Sequence, residues 1–172
     1  DAVTIRRLLS HTAGLTDRLG FGDYQFDEVI PELEDELRQP RTSHGESVEV
    51  AVGIEPGTEF LYSGGGYSIM QLVVEEVSGV SFEAYIQNVL FDPLDMDRAT
   101  YASVAKLENV SSSYHLDGSV AQSFQYASAA ATGLASSSND LTNLVKTILS
   151  AANDPLLKPA TIAAMREPHG FV

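Results

Sequence analysis

Hydrophobic residues recur along this chain at helical spacing, in blocks separated by glycine, proline and small polar residues. The most organised block is Pro56 to Gly79, PGTEFLYSGGGYSIMQLVVEEVSG. Pro56-Gly57 signals a turn, because proline presets φ at the first central position and glycine accepts a positive φ at the second. From Tyr67 onward Ile69, Met70, Val73, Val74 and Val77 return every three or four residues while Glu75 and Glu76 fall outside the stripe, which predicts an amphipathic helix. Gly79 is placed to close it as a left-handed cap.

The flanking blocks predict more helix. Val3 to Ser10 turns Ile5, Leu8 and Leu9 inward and two arginines outward, with Gly14 as the stop. Phe26 to Gln39 has helical spacing through Val29, Ile30, Leu33 and Leu37, tolerates Pro31 only near its start and ends at Pro40. The alternation from Ser47 to Val52 is a weak strand signal. Ser81 opens a helix whose face is Phe82, Tyr85, Ile86, Val89 and Leu90, stopped by Pro93-Leu94-Asp95-Met96. Tyr101 to Ser128 has no clear period and includes Ser111-Ser112-Ser113, Asp117-Gly118 and scattered aromatics, which reads as loop with one hairpin. A helix from Asn139 or Asp140 buries Leu141, Leu144, Val145, Ile148 and Leu149, and Pro159 stands at the first position of a last helix ending near Arg166. The expected fold is mainly α with little sheet, in a single domain.

Composition narrows the function classes. With 172 residues, 44% hydrophobic and 20% charged, the chain has the make-up of a soluble globular protein. A net charge of −14 argues against binding nucleic acid or an anionic membrane by electrostatics. Six acids between Asp27 and Glu36 read as a solvated helix face. No apolar run is long enough for a membrane span. The lack of cysteine rules out disulfides, thiolate metal sites and a cysteine nucleophile. The chain starts at Asp1 with no methionine, so it is expected to be a piece of something longer.

Candidate chemistry is reached partly by elimination. His11, His44, His115 and His169 have no paired spacing, so no metal or other cofactor is expected. Ser63 has Leu61 where a lipase-type nucleophile elbow needs glycine. Gly64 to Gly66 are not followed by the lysine of a phosphate loop. Tyr62, Ser63 and Gly64 lie just ahead of a helix N-terminus, whose free amides favour negative charge. That setting suits a tyrosine working near its phenolate form, and equally a loop with an aromatic anchor and an N-cap serine.

Four blocks occur in order: TIRRLLSHTAGL (Thr4 to Leu15), the Pro56 to Gly79 phrase, Pro93-Leu94-Asp95-Met96, and ATGLASSSNDL (Ala131 to Leu141). Together they resemble the serine β-lactamase and penicillin-binding-protein superfamily, in its class C-like, D-alanyl-D-alanine carboxypeptidase and esterase branch. The resemblance implies the helical subdomain of a β-lactamase/transpeptidase-like fold. It also implies an acyl-enzyme mechanism in which the serine of a Ser-x-x-Lys motif attacks a carbonyl and the tyrosine of a Tyr-x-Asn motif exchanges protons with it. The resemblance further implies a Lys-or-His-x-Gly motif on a strand that borders the pocket. Tyr62 matches the catalytic tyrosine, and Ser63 and Gly64 fall on the substrate side.

Gly64 stands where the family has asparagine, whose amide bonds the catalytic lysine and a substrate amide. That departure favours an esterase-like or degenerate site. Ser103-Val104-Ala105-Lys106 fits the bare nucleophile pattern but follows the tyrosine block, whereas the family's motif precedes it. The nucleophile motif is therefore expected upstream of Asp1 and the third motif downstream of Val172, since His169-Gly170 lacks the intervening residue. An ordinary phenol costs about 4 kcal/mol to deprotonate at neutral pH, and a helix N-terminus offsets only about 0.3–1 kcal/mol, so a nearby cation must do the rest. Arg41 and Arg98 are the nearest bases in sequence. The expectation is a part, inactive alone, of a hydrolase taking a small-molecule or peptide ester, amide or β-lactam; only the family resemblance suggests a place, in the cell envelope or outside the cell. The alternatives are a non-catalytic binding domain of the same fold and a free-standing esterase using Ser63 or Ser103.

Overall fold

The structure is a computed structural model that describes residues 2–17, 19–38, 42–43, 46–47, 49–150 and 156–169. Seven α-helices appear among them: α1 (Ile5–Leu9), α2 (Leu33–Arg38), α3 (Gly64–Ser78), α4 (Phe82–Ile86), α5 (Ala129–Thr132), α6 (Ser138–Leu149) and α7 (Pro159–Arg166). A two-stranded antiparallel ladder pairs β1 (Thr42–Ser43) with β2 (Glu46–Ser47), in register Thr42 to Ser47. The fold is mainly α. No helix among the described residues is long and apolar enough to cross a membrane.

Two apolar clusters hold the helices. Phe91, Leu94, Met96 and Ala99 form one, joined by Leu90, Tyr101 and Leu144. Leu8, Ala13 and Leu15 form the other, under Val50, Ile69 and Met70. Between them runs a polar seam. Ser68 and Ser128, both buried, share a 2.8 Å hydrogen bond from α3 to the residue before α5. The Gln71 amide donates to the Ala127 carbonyl at 3.1 Å and accepts from the Ala130 amide at 3.0 Å. Such a seam is stable only when every member is paired, and so it fixes the register of α3 on α5.

Helix α3 begins at Gly64, three residues before the start that apolar spacing predicts. Its N-terminal glycines have poor helix propensity but permit close approach. A Cβ on Gly64 would lie 1.9 Å from the Leu19 carbonyl oxygen, and one on Gly65 2.3 Å from Val50. The buried residues of the helix are accordingly Gly64, Gly65, Gly66, Ser68 and Gln71. Val77, assigned to the apolar stripe, is 84% exposed. Gly79 is the left-handed cap expected of it, at φ 72°.

Other expectations change for local reasons. Of the predicted Phe26 to Gln39 helix only α2 forms, after Pro31, which lacks an amide donor and restricts the residue before it; Gln39 and Pro40 lie outside the described residues. α1 ends at Leu9 with Ser10 as its cap, and His11, at φ 55°, turns the chain, while Gly14 (φ 76°) serves a close approach to the Ile54 carbonyl. Of the strand expected over Ser47 to Val52, Ser47 belongs to β2 and Val52 makes only an isolated bridge to Leu15; Val48 is outside the described residues. The helix from Ser81 passes into a π-helical turn, Gln87–Phe91, which rotates the face so that Phe91 is buried and Val89 exposed. The hairpin is present, with Tyr114 bridged to Val120 and Gly118 at φ 83°.

Gly79→Ala should cost only the left-handed backbone penalty of about 1–2 kcal/mol, because nothing lies within 4 Å of the added carbon. Gly64→Ala should cost about 2–3 kcal/mol, since a backbone carbonyl must move. Urea unfolding of the two variants checks the order.

Candidate active site

Residues 10–16 and 51–63 lie side by side. The Gly57 amide donates to the Thr12 carbonyl at 2.8 Å, and the Leu61 amide to the His11 carbonyl at 2.9 Å. This pairing delivers Tyr62 to the surface just before α3, with 55% of its area exposed. No hydrogen bond reaches its hydroxyl among the described residues. A phenol so placed can give a proton to, or take one from, a group brought up to it.

Beneath Tyr62 the groups are committed. Ser63, 3% exposed, caps α3: its hydroxyl accepts from the Gly66 amide at 2.8 Å and donates to Asp17 Oδ1 at 2.7 Å. Asp17 Oδ2 accepts from the Gly65 amide at 3.0 Å. A buried carboxylate thus sits at the positive end of a fifteen-residue helix with donors on both oxygens. Serine, histidine and aspartate meet here, but not in the order of a catalytic triad. His11 receives the Ser63 backbone amide, at 3.2 Å on Nδ1, and the serine hydroxyl goes directly to the aspartate. Gly64 is buried against Leu19 and Phe21, so no side chain extends from this position.

The His11 ring lies 4.7 Å from that of Tyr62, at 35°, and 5.4 Å from that of Tyr67, with Phe60 edge-on at 5.7 Å. The Tyr67 hydroxyl donates to the Leu9 carbonyl. Burial lowers the His11 pKa below its ordinary value, opposed by the charge of Asp17. His11 and Asp17 went unread as site residues in the sequence. The first lies in the HTAGL phrase, where it reads as a helix end, and the second carries no local signal.

The other candidates are dispersed. Ser103 precedes a single 3₁₀ turn, Val104–Lys106, joined to Lys106 by backbone bonding, and Lys106 is exposed. His44 and Arg41 lie outside the described residues. Behind His11, Ile5, Leu9, Phe60 and Met165 line an open groove of about 940 Å³ between α1 and α7, where Arg6 comes within 3.2 Å of the His169 ring.

Comparison with known proteins places the chain in a class. The sequence model of the family described as Beta-lactamase matches residues 1–170, and the chain belongs to that family. A penicillin-binding protein of Bacillus subtilis is 30% identical over 95 residues, which are 55% of this chain and 20% of that protein. The octameric penicillin-binding protein homologue from Pyrococcus abyssi superposes with a TM-score of 0.71 at 27% identity, over 96% of this chain and 38% of that one. EstCE1, a hydrolase with promiscuous acyltransferase activity, shares the fold at a TM-score of 0.71 and 23% identity, over 96% of this chain and 50% of that one. The chain therefore spans half or less of the length of these relatives, and its helices are a helical subdomain of the β-lactamase-like fold.

Ser63→Ala should destabilise the protein by about 1–3 kcal/mol, because it removes the cap and strands a buried carboxylate oxygen; chemical denaturation reads this directly. His11 should also make stability pH-dependent. Its folded pKa is depressed, so between that value and the unfolded value near 6.5 the unfolded chain binds the extra proton. The stabilisation is complete above about pH 6.5 and lost as pH falls through the folded pKa. Thermal unfolding from pH 5 to 8 should show that slope in the wild type and a shallower one in His11→Asn.

Proposed function

We propose that this chain is the helical part of a β-lactamase-like serine hydrolase acting on an ester, amide or β-lactam through an acyl-enzyme. The single observation that carries the reading is Tyr62: a phenol held at an open surface by ordered backbone on both sides, in a chain of the β-lactamase family. In this reading Tyr62 exchanges the proton of an attacking serine that lies outside residues 1–172. Ser63 and Gly64 shape the substrate side from beneath, as the backbone that carries Tyr62.

Several features support a nucleophile from elsewhere. Ser63 is buried with both hydrogen-bonding capacities used, and Ser103 lies on a turn with an exposed lysine. The apolar groove between α1 and α7 is lined from both ends of the described chain, by Thr4 and Ile5 on one side and His169 on the other. Its fitting occupant is the remainder of the fold, which in the relatives makes up half or more of the chain. The remainder would also bring the cation that a working phenol requires.

A second reading, a binding domain without catalysis, draws on Gly64, where packing leaves no room for the asparagine of the family motif. Labelling with a fluorophosphonate and with a fluorescent penicillin separates the two. The 172-residue chain should remain unlabelled, while the protein including its flanking segments should label stoichiometrically with at least one probe. Tyr62→Phe should slow turnover of an ester substrate by about 10²–10⁴-fold. Labelling of the short chain would refute the assignment of the nucleophile, and a longer protein inert to both probes would favour the binding domain.

A further inference from the structure

His11 occupies an unusual conformation for an unusual set of contacts. Its φ of 55° lies in the left-handed region, where a residue other than glycine needs support from its surroundings. Three bonds supply that support. Its own amide donates to the Leu8 carbonyl at 3.2 Å, its carbonyl accepts from Leu61, and its ring nitrogen accepts from Ser63. The residues so engaged, 61 and 63, flank Tyr62 on either side. The imidazole face then packs on the phenol between them.

We propose that His11 is the positioning residue for Tyr62: its main-chain carbonyl holds Leu61 on one side, and its imidazole holds the Ser63 amide on the other and packs on the phenol. The inference rests on the reading of Tyr62 as the proton-exchanging group. Because Nδ1 accepts an amide hydrogen, neutral His11 carries its proton on Nε2, and protonation of Nδ1 removes the Ser63 bond. The charged and titratable groups around the ring are Asp17 from the loop after α1, Tyr62 from the loop before α3 and Tyr67 from α3 itself. Arg6 and His169 line the groove that His11 also lines. Asp17 is bound to Ser63 and Gly65, so its charge faces the imidazole without bonding to it. Neutral His11 is therefore the form that holds the Ser63 amide beside Tyr62, and acid breaks that one bond while the His11 carbonyl keeps Leu61.

Two substitutions divide the role. His11→Asn keeps a residue that tolerates positive φ and an acceptor near Nδ1, but removes the ring. His11→Phe keeps a ring and removes the acceptor. The first readout needs no activity: tyrosine-Cζ NMR of the chain as a function of pH, with Tyr62 assigned by its loss in Tyr62→Phe. The wild-type Tyr62 signal should move with the His11 titration below pH 6.5, and that step should vanish in both variants. The second readout is steady-state kinetics of the protein with its flanking segments. Each variant should lower kcat roughly 10- to 100-fold with KM changed less than about twofold, the signature of a misplaced group. If the Tyr62 signal ignores the His11 titration in a wild type that is folded, the proposal is overturned. A Tyr62 signal that follows His11 in a protein without hydrolytic activity would support the positioning role and defeat the proton-exchange reading instead.

Discussion

The site depends on one buried carboxylate. Asp17 joins the loop after α1 to the first turn of α3, taking the Ser63 hydroxyl on one oxygen and the Gly65 amide on the other. Removing a carboxylate from water is costly, and here two donors and the positive end of the longest helix offset that cost. The Ser63 hydroxyl donates to Asp17 and accepts from Gly66, so neither neighbour can be lost without leaving a buried polar atom unmatched. Tyr62 is the first residue outside this knot. The residues on either side of it are hydrogen-bonded, its ring packs on His11, and its hydroxyl has no hydrogen bond among the described residues.

Close approach is the second constraint. Gly64 and Gly65 let Leu19 and Val50 come within a distance that any side chain would forbid, and Gly20 lies against Gly65 in turn. The face that α3 turns inward is consequently made of glycine, serine and glutamine, with its apolar residues only half buried. Ser68, Gln71 and Ser128 then set the helix register by hydrogen bonds where a purely apolar face could slide. The same economy leaves apolar surface elsewhere. Ile5, Leu9, Phe60 and Met165 stand half exposed around the groove, and Leu141, Val145 and Leu149 along one face of α6. In the proposed hydrolase, the remainder of the fold would cover the groove.

Some of this was legible in the amino-acid order. Apolar spacing located helices near α1, α3, α4, α6 and α7, and local chemistry located their ends: Ser81 as a cap, Gly79 in the left-handed conformation, Pro159 at a first position. Those features act through neighbouring residues, so a linear reading reaches them. The ordered blocks likewise pointed to the β-lactamase family.

What lay beyond the sequence is whatever depends on residues far apart in it. Nothing near Asp17 announces that it caps a helix 46 residues later, and nothing near His11 announces that it stacks on Tyr62. The glycines before Tyr67 looked like a loop because their intrinsic preference opposes helix, and only the loop packed against them makes the helix start there. Val77 fitted the apolar period yet faces solvent, because the true buried face was chosen by the seam with α5. Local propensity and periodicity, which pass along the chain, were determined by the sequence itself; the site and the helix faces were decided by tertiary packing, since burial and hydrogen bonding act through space.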